Sequence, residues 1–279
     1  MKKLTLPAVT LWAACLAAGS LPGAAAALTL AINEGATYRV TDADIQLKYK
    51  PVADDLGKLL GQKVSIIAVS DYKAIAEGLS AARYDLAYIH PAHVALKGLA
   101  VDGYRLVALT KGFTEYRAHF LVRGDSPTKT AADLKGKKMG IPSPDSITSV
   151  LTRTTMHDSF KDGAAGVSYV STRYQDAIPF MVEHGLVDVG VTGSEAVAKA
   201  WAGNGGKIAF SSKSVPVKLM LASKNIPAAD LAAVQNYFTS LESTEKGRRT
   251  LEAIDKKGFV PFDSAALSAV NSWIAAGVK

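Results

Sequence analysis

Residues 143–151, SPDSITSVL, crowd hydroxyl side chains at the point where a short apolar strand, KKMGI, gives way to a segment of helical character. Two chemistries suit that pattern. A Ser or Asp at a helix start satisfies the unpaired backbone N–H groups of the first turn. The same first turn, with its free donors and positive dipole end, also receives phosphate-like anions. Two further junctions of this kind occur. His90 directly follows the strand-like YDLAYI, and Tyr72 follows KVSIIAVS at a helix start. Each residue also has a plain structural reading, the tyrosine as packing against a neighbouring loop and the hydroxyls as caps. Taken together, three polar strand-end-to-helix junctions converging on one place form an oxyanion receptor.

Other chemistry is thinly represented. No G-x-S-x-G elbow, P-loop or H-E-x-x-H motif is present, which argues against an enzyme. His90 and His93 in IHPAH stand one turn apart if Pro91 opens a helix, a spacing open to zinc. Zinc needs a third and a fourth ligand, and His119, His157 and His184 show no matching spacing. No resident metal or cofactor is therefore expected. Asp85 and Asp188 each open a strand, remote from the strand ends where α/β sheets bind ligands, so a structural role is expected for both.

The elements that must position these residues alternate strand and helix. LTLAI (28–32) reads as a buried strand, and KYKPVADDLGKLLG (48–61) as an amphipathic helix closed by Gly61. KVSIIAV, YDLAYI, KKMGI and VDVGV read as further strands, and VKLMLAS as strand-like. The segment after Pro227 reads as entirely helical. This alternation predicts an α/β fold with largely parallel sheets. One internal correspondence stands out. Ala74-Ile75 precedes Asp85 by eleven residues, and Ala177-Ile178 precedes Asp188 by eleven. Two lobes on one βαβ plan, facing a shared cleft, account for that match; coincidence between short α/β units is the alternative.

Composition and the leader set the compartment. Lys2 and Lys3 precede an apolar run and the small residues PGAAAA, the pattern of a cleavable signal peptide over residues 1–26. The sole cysteine, Cys15, lies inside that run with Trp12 three residues before it, which does not fit a lipoprotein signal. The mature chain then has no thiol, and its formal charge falls from +7 to +5. No basic run alternates with aromatics, so nucleic acid is not an expected partner. The expected product is a soluble periplasmic protein.

Carried through DYKAIAEGLSAARYDLAYIHP, EYRAHFLVRGDSPTKTAADLKGKKMGIPSPDSITS and AIPFMVEHGLVDVGVTGSE, the chain resembles the periplasmic phosphonate, phosphite and phosphate-like substrate-binding proteins of ABC importers. The resemblance implies a two-lobed periplasmic-binding-protein fold, type II-like, hinged on two crossing strands near 120–123 and 217–222. Lobe 1 is then 27–121 plus 222–279, and lobe 2 is 122–221. Residue by residue, Tyr72 and Tyr116 match the family's ligand tyrosines. Ser146 and Thr148 match its anion-holding loop. Glu195 falls where aminophosphonate-binding members keep a carboxylate for the amine. Tyr174 or Gln175 replaces a usual histidine, and Lys218 stands near a second acid of those members. A lysine there opposes an ammonium and is expected to pair with Glu195 or with a further anionic group.

The resemblance thus implies a monomeric solute-binding protein that captures a phosphorus oxyanion in the interlobe cleft and hands it to an inner-membrane ABC permease. Presentation to a membrane histidine kinase is the alternative use of the same trap.

Overall fold

The computed structural model describes residues 27–35, 41–160 and 166–277; the predicted leader lies outside them. Two sheets organise the chain. The first contains β1 (Leu28–Asn33), β2 (Val64–Ala68), β3 (Leu86–Ile89), β4 (Tyr104–Thr110), β10 (Leu219–Ser223) and β11 (Phe259–Val260), in the order β11-β4-β10-β3-β1-β2. The second contains β5 (His119–Val122), β6 (Lys138–Ile141), β7 (Ser168–Ser171), β8 (Val189–Thr192) and β9 (Lys207–Ser211), in the order β7-β6-β8-β5-β9. The helices are α1 (Asp42–Leu60), α2 (Tyr72–Ser80), α3 (Ala92–Ala100), α4 (Ile147–Ser159), α5 (Ile178–Glu183), α6 (Glu195–Gly203), α7 (Ala228–Ser240), α8 (Glu245–Ala253) and α9 (Ser264–Gly277). Among the described residues no helix is long and apolar enough to cross a membrane.

The two sheets share one plan. In each, a first strand (β1 or β6) lies between two parallel neighbours, and the next strand in the order (β10 or β5) runs antiparallel. That antiparallel strand arrives in each case from the other sheet. The chain leaves the first sheet after β4 and enters the second as β5; it leaves after β9 and re-enters as β10. The passages are therefore residues 111–118 and 212–218. They pair through Tyr116 and Val215, whose backbones exchange hydrogen bonds of 2.8 and 2.9 Å. The sequence reading set these crossings a few residues later, on the strands β5 and β10 themselves, because apolar runs and crossings look alike without pairing partners.

The matched aspartates explain the repeat. Asp85 Oδ2 accepts from Thr29 N (2.8 Å) and Thr29 Oγ1 (2.9 Å), and its own N–H donates to Thr29 Oγ1 (2.9 Å). Asp188 Oδ2 accepts from Lys138 N at 2.8 Å, while Asp188 N donates to Lys138 O at 2.8 Å. Each carboxylate thus fixes the start of the parallel strand beside it. Register is set at the strand beginnings, which leaves the opposite ends open to a ligand.

Helix boundaries follow their caps. α1 begins at residue 42, earlier than the sequence expectation of 48, because Thr41 and Asp44 form a capping box. Its buried residues Ile45, Tyr49, Val52 and Leu56 repeat at helical spacing. Pro51 consequently sits inside the helix and leaves the Leu47 carbonyl without its donor. Leu47 is 76% exposed, so water substitutes. Gly61 closes the helix in the left-handed region at φ 65°. The segment after Pro227 is not wholly helical: β11 pairs with β4, and two residues are too few to show a strand period. α9 packs on α4 as well as α3, so the tail expected in lobe 1 also touches the other lobe. Trp273 Nε1 donates to Asp158 Oδ2 at 2.7 Å there.

Asp85→Ala removes the two hydrogen bonds accepted by the carboxylate at a half-buried site, with an expected loss of about 1–3 kcal/mol. Asp188→Ala, at an exposed site, is expected to lose under about 1 kcal/mol. Thermal melts should separate the two by several degrees, at roughly 2–4 °C per kcal/mol. Equal, small shifts would contradict the register role of Asp85.

Candidate functional site

The open strand ends of both sheets face one cleft of about 420 Å³. His90, at the end of β3, lines it from the first sheet. Phe113, Tyr116 and Arg117 line it from the first passage. Gln175, Gly193 and Glu195 line it from the second sheet. Of the residues singled out in the sequence, His90, Tyr116, Gln175 and Glu195 thus share the cleft, and Thr148 reaches it through Tyr116. Tyr72, Ser146 and Lys218 are buried and do not line it.

The polar focus is a meeting of three chain segments. Thr148, fully buried on the first turn of α4, lies with its Oγ1 2.6 Å from the Tyr116 hydroxyl. The same hydroxyl abuts Gly193: a Cβ there would fall 1.7 Å from Tyr116 Oη and 2.7 Å from Thr148 Oγ1. Only glycine admits the tyrosine. Gln175 secures the glycine segment, its Oε1 accepting from Thr192 Oγ1 (2.9 Å) and Gly193 N (2.5 Å). Ser146 performs the capping role: it is the N-cap of α4, and its Oγ accepts from Ser149 N at 3.2 Å. The N–H groups of Ile147 and Thr148 have no acceptor within the helix. Ser194 caps α6, which starts at the same cleft. Two helix starts therefore direct positive dipole ends into a space rimmed by hydroxyls.

Two of the charged groups at the rim are held by neighbours. Glu195 contacts His119 Nε2 at 3.0 Å and Lys199 Nζ at 3.2 Å. Burial lowers the His119 pKa, outweighing the pull of Glu195. Arg117 Nη1 donates to Ser212 O at 3.0 Å, tying the two passages together.

Lobe 1 supplies a buried charge cluster. Glu34, just after β1, accepts from Tyr49 Oη (2.5 Å), Lys256 Nζ (3.0 Å) and Lys48 Nζ (3.2 Å), with Lys218 Nζ at 3.9 Å. Lys218 thus faces Glu34, and of its two expected partners, Glu195 or a further anionic group, the first is corrected: Glu195 belongs to the opposite lobe and is held by His119 and Lys199. Burial opposes ionisation of Glu34, but Lys256, Tyr49 and Lys218 together hold its pKa down at about 2. Burial lowers Lys218 to about 8, with Lys256 adding to the effect. His90 is pushed down to about 3 by burial and by Lys218, and His93 to about 4 by burial and Arg153. Both imidazoles are neutral near pH 7, so His90 presents a neutral ring to the cleft. Among the described residues no group of three or more His, Cys, Asp or Glu stands ready for a metal, and His90 and His93 are not joined by a third.

Sequence reasoning missed Gly193, Arg117, His119, Glu34 and Lys256. The criterion that selected His90, a polar residue directly after a strand, also selects Glu34 after LTLAIN. Nothing local marks Lys256, which joins the cluster only through the pairing of β11.

The neutral histidines predict a pH dependence of stability. A His whose folded pKa is depressed contributes stability that is complete above its unfolded pKa of 6.5 and is lost as pH falls toward the folded value. Between pH 6.5 and 5 the loss amounts to about 2 kcal/mol for each of His90 and His93. Glu34 adds only about 0.2 kcal/mol over that window, because its unfolded pKa of 4.5 lies just below it. Denaturant titrations at pH 7 and 5 should show the loss, and His93→Gln should reduce it. An unchanged stability across that interval would contradict buried, neutral imidazoles.

Known proteins show the same architecture. A family model described as "ABC transporter, phosphonate, periplasmic substrate-binding protein" matches residues 35–267. The Phosphate-import protein PhnD of Mycolicibacterium smegmatis is 24% identical over 246 residues, covering 83% of this chain and 76% of that protein. Among solved structures, XAC2383 from Xanthomonas citri bound to ATP superposes with a TM-score of 0.72 at 16% identity, covering 90% of this chain and 97% of that one. PhnD1 from Prochlorococcus marinus in complex with methylphosphonate superposes with a TM-score of 0.62 at 15% identity, covering 88% and 96%. The structural likenesses establish the two-lobed fold, and the family match establishes kinship: the chain belongs to the periplasmic substrate-binding proteins of ABC phosphonate transporters.

Proposed function

We propose that this protein captures a phosphorus oxyanion (a phosphonate, phosphite or phosphate) between its lobes and delivers it to an ABC permease. The observation that carries the reading is the meeting of the Tyr116 hydroxyl, Thr148 on the first turn of α4 and the Gly193 backbone at one point of the cleft. Hydroxyls and helix-start N–H groups are donors that suit oxygens of a tetrahedral anion. Thr148 and the first-turn N–H groups hold those oxygens, and Tyr116 donates from the passage. Ser146 fixes the turn. Gln175 positions Gly193, His90 offers a neutral donor, and Glu195 with His119 seals the rim. Closing the lobes removes the anion from water, which strengthens each hydrogen bond.

The trap hinges on passages 111–118 and 212–218, with lobe 1 formed broadly by 27–121 and 222–279 and lobe 2 by 122–221. A leader over residues 1–26 exports the chain, which acts as a monomer. The names of the mycobacterial phosphate-import relative and of the methylphosphonate complex support this ligand class.

Thermal shift against phosphate, phosphite, methylphosphonate and sulfate tests the reading. A ligand at ~100 times its dissociation constant adds about 2.7 kcal/mol, a rise of several degrees. One phosphorus anion should produce it and sulfate should not. Thr148→Val, which keeps shape and removes the hydroxyl, should weaken that ligand about 10- to 100-fold, the cost of a charged hydrogen bond. No rise with any phosphorus anion contradicts the function; an unaltered affinity in Thr148→Val contradicts the site.

A further inference from the structure

The charge cluster of lobe 1 exceeds what a bare oxyanion requires. Glu34 follows β1, and Lys218 and Lys256 precede β10 and β11. Because β10 and β11 run antiparallel to β1 and β3, their beginnings lie at the edge where β1 and β3 end. That edge is where an α/β sheet receives ligands. The side chains are deeply buried, at 3% exposure for Lys256, 6% for Lys218 and 8% for Glu34. With Lys48, three ammonium groups surround one carboxylate. Asp255 acts on Lys218 and Lys256 from farther off and still leaves the cluster positive.

One lysine suffices to pair Glu34, and each additional buried ammonium carries a desolvation cost. The low pKa of Lys218 registers that cost. An excess of buried positive charge is compensated when an anion arrives. The cluster also adjoins the cleft. Lys218 Nζ stands 4.0 Å from the centre of the Phe113 ring, and Phe113 lines both the cleft and a neighbouring cavity of about 530 Å³ that includes Lys256. His90 continues the same wall.

We propose that Lys218, Lys256 and Lys48, positioned by Glu34, form a second anion subsite, so that the cargo is a phosphonate or phosphate ester bearing a second anionic group. The inference rests on the proposed oxyanion trap and names the class of molecule it takes. The phosphorus end sits at Tyr116, Thr148 and Gly193, and the second anion, a carboxylate or another phosphoryl group, points toward Lys218. A ligand ammonium at that end meets like charge and is rejected.

Titration calorimetry of the wild-type protein at pH 7 with methylphosphonate, 3-phosphonopropionate and 2-aminoethylphosphonate tests this. The carboxylate compound should bind at least about tenfold more tightly than methylphosphonate, and the amine several-fold more weakly. Lys218→Gln and Lys256→Gln should each move the carboxylate-to-methyl affinity ratio toward one. A wild-type ratio within about twofold of one, or tighter binding of the amine, overturns the subsite even if both variants fail to fold. Methylphosphonate binding without that gain removes the subsite alone. Absence of binding by all three compounds removes the oxyanion trap and the subsite with it.

Discussion

β5 and β10 each lie inside a sheet other than the one that holds the strand immediately before them in the chain. β5 is hydrogen-bonded between β8 and β9, and β10 between β3 and β4. Both are therefore internal strands with ladders on two sides, and their burial is near complete: Phe120, Leu121, Leu219 and Leu221 are all fully enclosed. Pulling either strand out would expose two ladders and an apolar row, so the strands are held firmly and the passages 111–118 and 212–218 are the two chain segments that join the sheets. Tyr116 belongs to the first of these passages, beside its bridge to Val215. A residue on a passage between the sheets thus carries a hydroxyl into the cleft.

Two electrostatic regimes meet in that cleft. On the side of β6 and β8, the donors are neutral: hydroxyls, backbone N–H groups and the dipole ends of α4 and α6. These give direction without a large desolvation cost, and they suit the oxygens of an anion. On the side of β1 and β10, the groups are ionised and buried, with Glu34 holding ammonium groups in place. The neutral His90 lies between the two. Burial and Lys218 suppress its charge, so the ring separates the regimes without adding a further cation.

Much of this was legible in the sequence, for stated reasons. The aspartate repeat, Asp85 and Asp188 at matched distances from Ala74-Ile75 and Ala177-Ile178, announced two lobes on one plan, and the structure gives its cause in the bonds to Thr29 and Lys138. Strand-end-to-helix junctions pointed to the cleft because hydropathy marks a strand end even when pairing is unknown. What depended on pairing stayed hidden. The crossings sit a few residues from their expected places, β11 lies in a segment that reads as helix, and of the two partners expected for Lys218 the one across the cleft gives way to Glu34 beside it. Gly193 was passed over because a glycine after a strand is ordinary; its role comes from the tyrosine packed on it, which no local pattern records.

The proposed binding site turns on one contact, the Tyr116 hydroxyl seated against Gly193 and Thr148. Calorimetric titration of Gly193→Ala with whichever phosphorus anion stabilises the wild-type protein tests it most directly. The added methyl cannot coexist with the tyrosine hydroxyl 1.7 Å away, so the ring must leave the cleft. The account predicts that affinity falls at least about tenfold while the melting temperature of the ligand-free protein moves by only a few degrees. Wild-type affinity in Gly193→Ala would show that the anion is held elsewhere and would contradict the site at the passage.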